Sequence, residues 1–292
     1  MKAASFDYVR AATISEACEL LRADGEDIKL IAGGQSLVPM MAMRLTRPSR
    51  LVDINEIGAL RFVALEDDFA RIGACTRQCV VAGDDALAAR VPLLRRALDW
   101  VGHTQTRNRG TLGGSLAHAD PAAELPLAAQ VLGARMQLRT ASGTRTLSAA
   151  EFFLGPLTTA LFPDECLEAI HWPVWREPRA GCAFTEVSRR HGDFAIIAAC
   201  AQVALDADGR CTRAAFGLTG GGTTPLAFPA LASRLVGTRL DDDVTQSVAH
   251  EAAAELDPGA DLHASAAYRR HLAAVLGARV LRTAYEEAQG KP

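Results

Sequence analysis

The sequence predicts an α+β protein, and three observations carry that reading. Short strand, loop and helix segments alternate near the start; a β-hairpin and further helices follow; and beyond Pro173 and Pro178 the pattern changes to long strands closed by two helices. A chain of 292 residues with 49% apolar content has room for two or three compact domains, each able to bury a core.

In the first unit, residues 1–55, positions 14–21 have helical spacing with Thr13 or Ser15 available as an N-cap. Residues 29–32 read as a strand running into Gly33 and Gly34, residues 37–44 as the segment that follows, and residues 50–54 as a second strand. The second unit, residues 56–176, opens with the alternating strand 69–74 and holds helices around 93–101 and 124–133, with a second glycine loop between them. Residues 135–139 and 144–147 flank Ala141, Ser142 and Gly143 as a hairpin, and 165–171 supplies one more strand. The third unit, residues 177–292, reads as an antiparallel meander of 183–189, 195–205 and 213–219, with Asp206 to Gly209 as a turn. Helices near 243–255 and 265–288 end it. Tyr268, Leu272, Val275, Leu276, Val280 and Leu281 share one face of the last helix, which is expected to pack on the sheet.

Composition excludes several function classes. The formal charge of −3, with no Lys/Arg stripe interleaved with aromatics, argues against a nucleic-acid partner. The start, Met1 to Tyr8, lacks the pattern of a signal peptide and no apolar run approaches a membrane span, so a cytoplasmic location is expected. Of seven cysteines only Cys75 and Cys79 are close in sequence. That spacing fits neither a zinc site nor a ferredoxin-type cluster, so reduced thiols packed as small hydrophobes are expected, with no metal site in this chain.

The informative features are the glycine stretches Ala32-Gly33-Gly34-Gln35-Ser36 and Thr111-Leu112-Gly113-Gly114-Ser115. Adjacent glycines bring unshielded backbone N–H groups against an anion, and the hydroxyls of Ser36, Thr111 and Ser115 add short donors beside them. Two such stretches suit one diphosphate. Neither the Gly-x-Gly-x-x-Gly fingerprint nor a P-loop lysine is present, so nucleotide hydrolysis fits poorly. No nucleophile or acid–base pair is assigned. His103 and His118 are read as structural, and Arg107 and Arg109 as second-tier partners for a bound anion.

The segments Ala32-Gly33-Gly34-Gln35-Ser36-Leu37, Leu51-Val52-Asp53-Ile54 and 107–126, which includes Leu116-Ala117-His118-Ala119-Asp120-Pro121-Ala122-Ala123-Glu124-Leu125-Pro126, carry a family resemblance. With Arg189 to Ala195 and the region of Tyr268-Arg269-Arg270, they make the chain resemble, over essentially its whole length, the FAD-binding medium subunit of molybdenum hydroxylases. That group spans flavoprotein subunits of bacterial carbon monoxide, quinoline, nicotine-type and xanthine dehydrogenases.

The resemblance implies a two-subdomain, vanillyl-alcohol-oxidase-like (PCMH-type) FAD-binding region followed by a C-terminal α/β domain with a small antiparallel sheet. It implies FAD contacts from Ala32, Gly33, Gly34, Gln35, Ser36 and Leu37, and from Thr111, Gly113, Gly114 and Ser115. Glu124, or Asp120 in its place, would bind cofactor hydroxyls, and Phe194 in the loop 189–194 would lie near the flavin ring. It further implies a large partner subunit with the molybdenum cofactor, a small partner with [2Fe-2S] clusters, and a dimer of such heterotrimers. In that arrangement this chain passes electrons to an external acceptor. A self-sufficient FAD-dependent oxidoreductase and a flavin-free scaffold are the competing readings.

Overall fold

Residues 7–54 fold around a small parallel sheet, because three short apolar-bearing strands alternate with loops and helices too short to hold a core alone. The computed structural model describes residues 2–24 and 28–290. Strand β1 (Asp7–Arg10) leads to helix α1 (Ile14–Asp24), then β2 (Ile28–Ile31), α2 (Leu37–Ala42) and β3 (Arg50–Asp53), with β3 between β1 and β2 and all parallel. Thr13 caps α1: its Oγ1 accepts from the Glu16 amide at 3.1 Å while the Glu16 carboxylate accepts from the Ala12 amide at 2.7 Å. Ala17, Cys18 and Leu21 of this helix pack on Ile28, Val52 and Ile54, and Cys75 and Cys166 join the same core from later in the chain.

The next region holds β4 (Val63–Leu65) and β5 (Phe69–Gly73), then six helices: α3 (Gln78–Gly83), α4 (Asp85–Arg90), α5 (Pro92–Leu98), α6 (Thr104–Arg109), α7 (Leu112–His118) and α8 (Glu124–Leu132). It continues with β6 (Arg135–Arg139), β7 (Thr144–Ser148), α9 (Ala149–Phe152), the small pair β8 (Phe153–Gly155) and β9 (Thr158–Thr159), and β10 (Cys166–Pro173). Five of these strands form an antiparallel sheet in the order β4-β5-β10-β6-β7. The Ala141–Gly143 turn closes the hairpin as the sequence predicts, with the Thr140 amide donating to the Gly143 carbonyl at 2.9 Å.

Strands β11 (Ala180–Val187), β12 (Ile197–Leu205), β13 (Cys211–Thr219) and β14 (Leu226–Ala227) make the antiparallel meander, followed by α10 (Pro229–Ser233), α11 (Asp242–Glu255) and α12 (Ala266–Ala288). All nine residues of β12 are buried, which its unbroken apolar run reflects. Side chains alternate across the strand: Ala198 and Cys200 enter the core shared with α5 and α8, while Ile197, Ala199, Ala201 and Val203 enter the core under α11 and α12. One sheet therefore joins two cores.

The last helix corrects part of its predicted face. Leu272, Leu276, Val280 and Leu281 are buried, but Tyr268 and Val275 are exposed. The buried face is centred on Ala273, Gly277 and Ala284, and at about 100° per residue both exceptions fall on the opposite side of the helix. No helix among the described residues is long and apolar enough to cross a membrane.

Candidate functional site

The first glycine stretch sits between β2 and α2, where Gly34 takes a φ of 69° that side chains disfavour. The amides of Gly33, Gly34, Gln35 and Ser36 donate to no acceptor among the described residues. They leave four backbone donors along one turn of chain.

The second stretch is built differently from its expected form. It is no loop: Leu112–His118 is helix α7, and Thr111 is its N-cap, with Oγ1 accepting from the Gly114 amide at 3.1 Å. The Leu112 and Gly113 amides donate to the carbonyls of Thr76 and Ala74, each at 2.9 Å, and the Ser115 amide to the Thr111 carbonyl at 3.3 Å. In the second stretch only the Thr111 amide is left without an acceptor among the described residues, so unshielded amides are concentrated in the first. Glycine is required in the second for close packing, since a Cβ on Gly113 would lie 2.5 Å from the Ala74 Cβ and one on Gly114 2.6 Å from Thr111 Oγ1.

The two stretches meet. A Cβ on Gly33 would lie 2.4 Å from the Arg109 carbonyl oxygen and 2.8 Å from the Gly110 Cα, so the backbone of the first packs on the residues that lead into the second. A polar clamp holds the junction. Asn55 Nδ2 donates to the Ala32 carbonyl and to Asp53 Oδ1, both at 2.7 Å, and Asn55 Oδ1 accepts from Arg77 at 2.8 Å. The other arm of Arg77 reaches the Arg109 carbonyl. Burial raises the Asp53 carboxyl, but hydrogen bonds from Tyr8 and from the Asn55 backbone and side chain outweigh it and hold the group below the usual carboxylate range. Asn55 and Arg77 escaped the sequence reading because a contact across 22 residues leaves no local pattern.

A cleft of about 980 Å³ opens at this junction, and all thirteen residues singled out as cofactor contacts line it. Ala32 to Leu37 come from the first region, and Thr111, Gly113, Gly114, Ser115, Asp120 and Glu124 from the second. Phe194 comes from the loop between β11 and β12 and is 65% exposed. That loop is pinned at Gly192, where φ is 88° and a Cβ would lie 2.6 Å from the His103 ring. His118 also lines the cleft, whereas His103, Arg107 and Arg109 do not.

The cleft carries acidic character at one end. Burial pushes the Glu124 carboxyl up to about 7, with the Asp120 charge adding to the rise. Burial lowers the His118 imidazole, against the opposing pull of Asp120. At another edge Glu165 is fixed by Arg145, through contacts of 2.6 and 2.7 Å, and by the Phe162 amide at 2.8 Å. The Arg145 guanidinium also lies 4.3 Å from the Phe162 ring centre. Cys75 and Cys166 line the cleft too, but burial pushes Cys75 up to about 12 and Cys166 well above its ordinary value, so both stay protonated and are poor nucleophiles. The arrangement suits binding: amide donors for an anionic segment, carboxyls for hydroxyls, and a volume at the upper end of cofactor-sized pockets.

Residues 4–175 match the model of the FAD binding domain in molybdopterin dehydrogenase, and residues 182–284 that of the CO dehydrogenase flavoprotein C-terminal domain. The chain belongs to this flavoprotein family. It is 39% identical to the 6-hydroxypseudooxynicotine dehydrogenase complex subunit alpha of Paenarthrobacter nicotinovorans, over 99% of this chain and 97% of that one. It is 38% identical to the carbon monoxide dehydrogenase medium chain of Afipia carboxidovorans, over 98% of each. The crystal structure of quinoline 2-oxidoreductase from Pseudomonas putida 86 superposes with a TM-score of 0.93 at 35% identity, covering 99% of both chains. In this family the chain is an FAD-binding oxidoreductase component, and the α+β fold expected from the sequence is the one observed.

Proposed function

We propose that this chain is the FAD-carrying electron-transfer subunit of a heteromeric molybdenum hydroxylase, receiving electrons from iron–sulfur clusters of a partner subunit and passing them to an external acceptor. The observation that carries the reading is the cleft itself, where four unused amides of Gly33 to Ser36 stand at the contact between the two glycine stretches. Relatives that match nearly end to end are named as subunits or medium chains of dehydrogenases, which supports a division of labour among chains.

The isoalloxazine ring supplies the redox chemistry, since it can take up and pass on electrons singly or in pairs. The protein supplies binding and orientation. Ala32 to Leu37 offer amides and the Ser36 hydroxyl to the diphosphate; Thr111, Gly113, Gly114 and Ser115 let the ligand approach the second stretch closely. Glu124 and Asp120 accept from cofactor hydroxyls, and Phe194 packs near the ring. In domain terms, residues 1–55 and 56–176 are the two halves of the FAD region and residues 177–292 cover it. The proposed assembly is a dimer of heterotrimers, each with a large molybdenum-cofactor subunit and a small [2Fe-2S] subunit, working in the cytoplasm.

The test is an absorption spectrum of the chain alone and of the complex purified with its partners, with release and identification of the chromophore. FAD in the lone chain, joined by iron and molybdenum only in the complex, is the expected result. A folded chain that takes up no flavin in either preparation would overturn the proposal. Substrate turnover by the isolated, flavin-loaded chain would instead favour a self-sufficient oxidoreductase.

A further inference from the structure

Glu186 on β11 is 7% exposed, and its Oε2 has no hydrogen-bond partner. Neither sequence motif nor family match draws attention to it. The sheet register places it in a row: Glu186 pairs with Ala198 on β12, and Ala198 with Thr219 on β13. Directly paired residues point to the same face. Here that is the face on which Phe184, Ala198 and Cys200 enter the core shared with α5 and α8. Thr219 donates its hydroxyl to the Pro121 carbonyl, and the Gly220 amide donates to the same oxygen at 3.2 Å. The segment 121–124 therefore lies against this row, and it ends at Glu124, the first residue of α8 and part of the cleft.

Ala198 contributes only a methyl group at the centre of the row, so two carboxyls share a small apolar space. Neither has an ion-pair partner among the described residues. The buried cation of α12, Arg269, is held by the Ile196 and Gly220 carbonyls at 2.7 and 3.0 Å and by Asp261 at 2.7 Å, and pairs with neither carboxyl. Asp120 is acidic, and His118 at the end of α7 is kept toward its neutral form by burial. His191 lies between Trp100 and His103, and the Arg96–Glu287 pair (2.8 Å) sits near Cys182, four residues back along β11. Burial, with the Glu124 charge adding to it, pushes Glu186 up to about 8, above the value of about 7 for Glu124. The positive end of the α8 backbone dipole favours placing a negative charge at Glu124 rather than at Glu186.

We propose that Glu186 is a positioning residue for the cofactor: it keeps its proton at neutral pH, so the pair holds at most one negative charge, and Glu124 presents that charge to cofactor hydroxyls in the cleft. The proposal rests on FAD occupying the cleft. Loss of the Glu186 proton puts two like charges into the joint between the FAD region and the third sheet, and weakens the grip on the cofactor.

The experiment measures the FAD dissociation constant of the full chain from pH 7 to 9, for wild type and Glu186→Gln, with infrared spectra of both proteins at pH 7. If only the singly charged pair binds, wild type weakens about five-fold across this range, while E186Q, in which Glu124 alone is left to ionise, does not weaken. The carbonyl stretch of a protonated carboxyl is expected in wild type and weaker in E186Q, where Glu124 alone remains to give it. A Glu186→Leu variant checks that the profile follows the titrating group and not side-chain shape; it too should show no weakening toward pH 9. Identical pH profiles for wild type and E186Q, or an acid band of equal size in the two proteins, would overturn the proposal while leaving FAD binding intact. Failure of FAD to bind wild type at any pH would remove the functional reading first, and this inference with it.

Discussion

A methyl group at Gly33 would have to displace the Arg109 carbonyl oxygen, 2.4 Å away, and that oxygen is held in turn by Arg77. Gly33→Ala is therefore expected to cost about 1–3 kcal/mol of stability and to part the two glycine stretches, lowering FAD affinity ten-fold or more. Gly143→Ala is the control: nothing lies within 4 Å of its added Cβ, and urea denaturation should show a change within about 0.5 kcal/mol. Asn55→Ala tests the clamp. It removes two donated hydrogen bonds and the acceptor for Arg77, and should lower stability by about 1–3 kcal/mol with a parallel loss of flavin retention on gel filtration. Wild-type stability and flavin content in Asn55→Ala would remove the clamp from the account. The two glycine stretches of the cleft were legible because glycine pairs and short hydroxyls form a local pattern, whereas Asp120, Glu124 and Phe194 were reached only through the family resemblance. Asn55, Arg77 and Glu186 were not, because each acts through partners set by tertiary folding.

Elements divide in the same way. Strand β12 was readable from its unbroken apolar run, and α11, α12 and the hairpin from periodicity and turn residues. Helix α7 was hidden by Gly113 and Gly114, which in isolation weaken a helix and here are retained for the approach to Ala74. Strand β1 was missed because Asp7, Tyr8 and Arg10 are exposed and its pairing with β3 is decided by the rest of the sheet. Thr111→Ala, which strips the cap from α7, should cost about 1 kcal/mol by thermal or urea denaturation. At the cleft edge, Arg145→Ala leaves the buried Glu165 carboxylate without its cation. Since Arg145 is about a third exposed, solvent screening reduces the expected loss to about 2 kcal/mol. An unchanged denaturation midpoint would show that the Phe162 amide alone suffices for Glu165.

At the scale of the molecule, stability should depend on pH from both sides. Glu124 and Glu186 have native values raised above an ordinary glutamate at 4.5, so between about 4.5 and 8 the folded chain holds protons that the unfolded chain has released. Their contribution is fully present below that window and is lost as pH rises through about 7 and 8, at roughly 1 kcal/mol per pH unit for each group still protonated. Asp53 and Glu165 act oppositely: both are held low, so their contribution is present above the ordinary carboxylate range and disappears as pH falls through their native values. Urea midpoints measured from pH 4 to 9 should therefore peak on the acid side of neutrality, and E186Q should flatten the alkaline limb. A midpoint that climbs steadily from pH 5 to 9 would contradict the assignment.

The cleft is lined by residues of two hydrophobic cores, Ile28, Ile54, Cys75 and Cys166 of the first and Val101 and Leu167 of the second, and by Phe194 from the loop that leads into the third sheet. Whatever fills it is bound by the folded arrangement and not by the extended chain, so occupancy tightens every part at once by mass action. At a ligand concentration one hundred times the dissociation constant, that amounts to about 2.7 kcal/mol. Scarcity of the cofactor would then register as turnover of the polypeptide itself: empty chains would be cut and cleared by proteases sooner than filled ones, and the cell would match the amount of protein to the supply of its ligand.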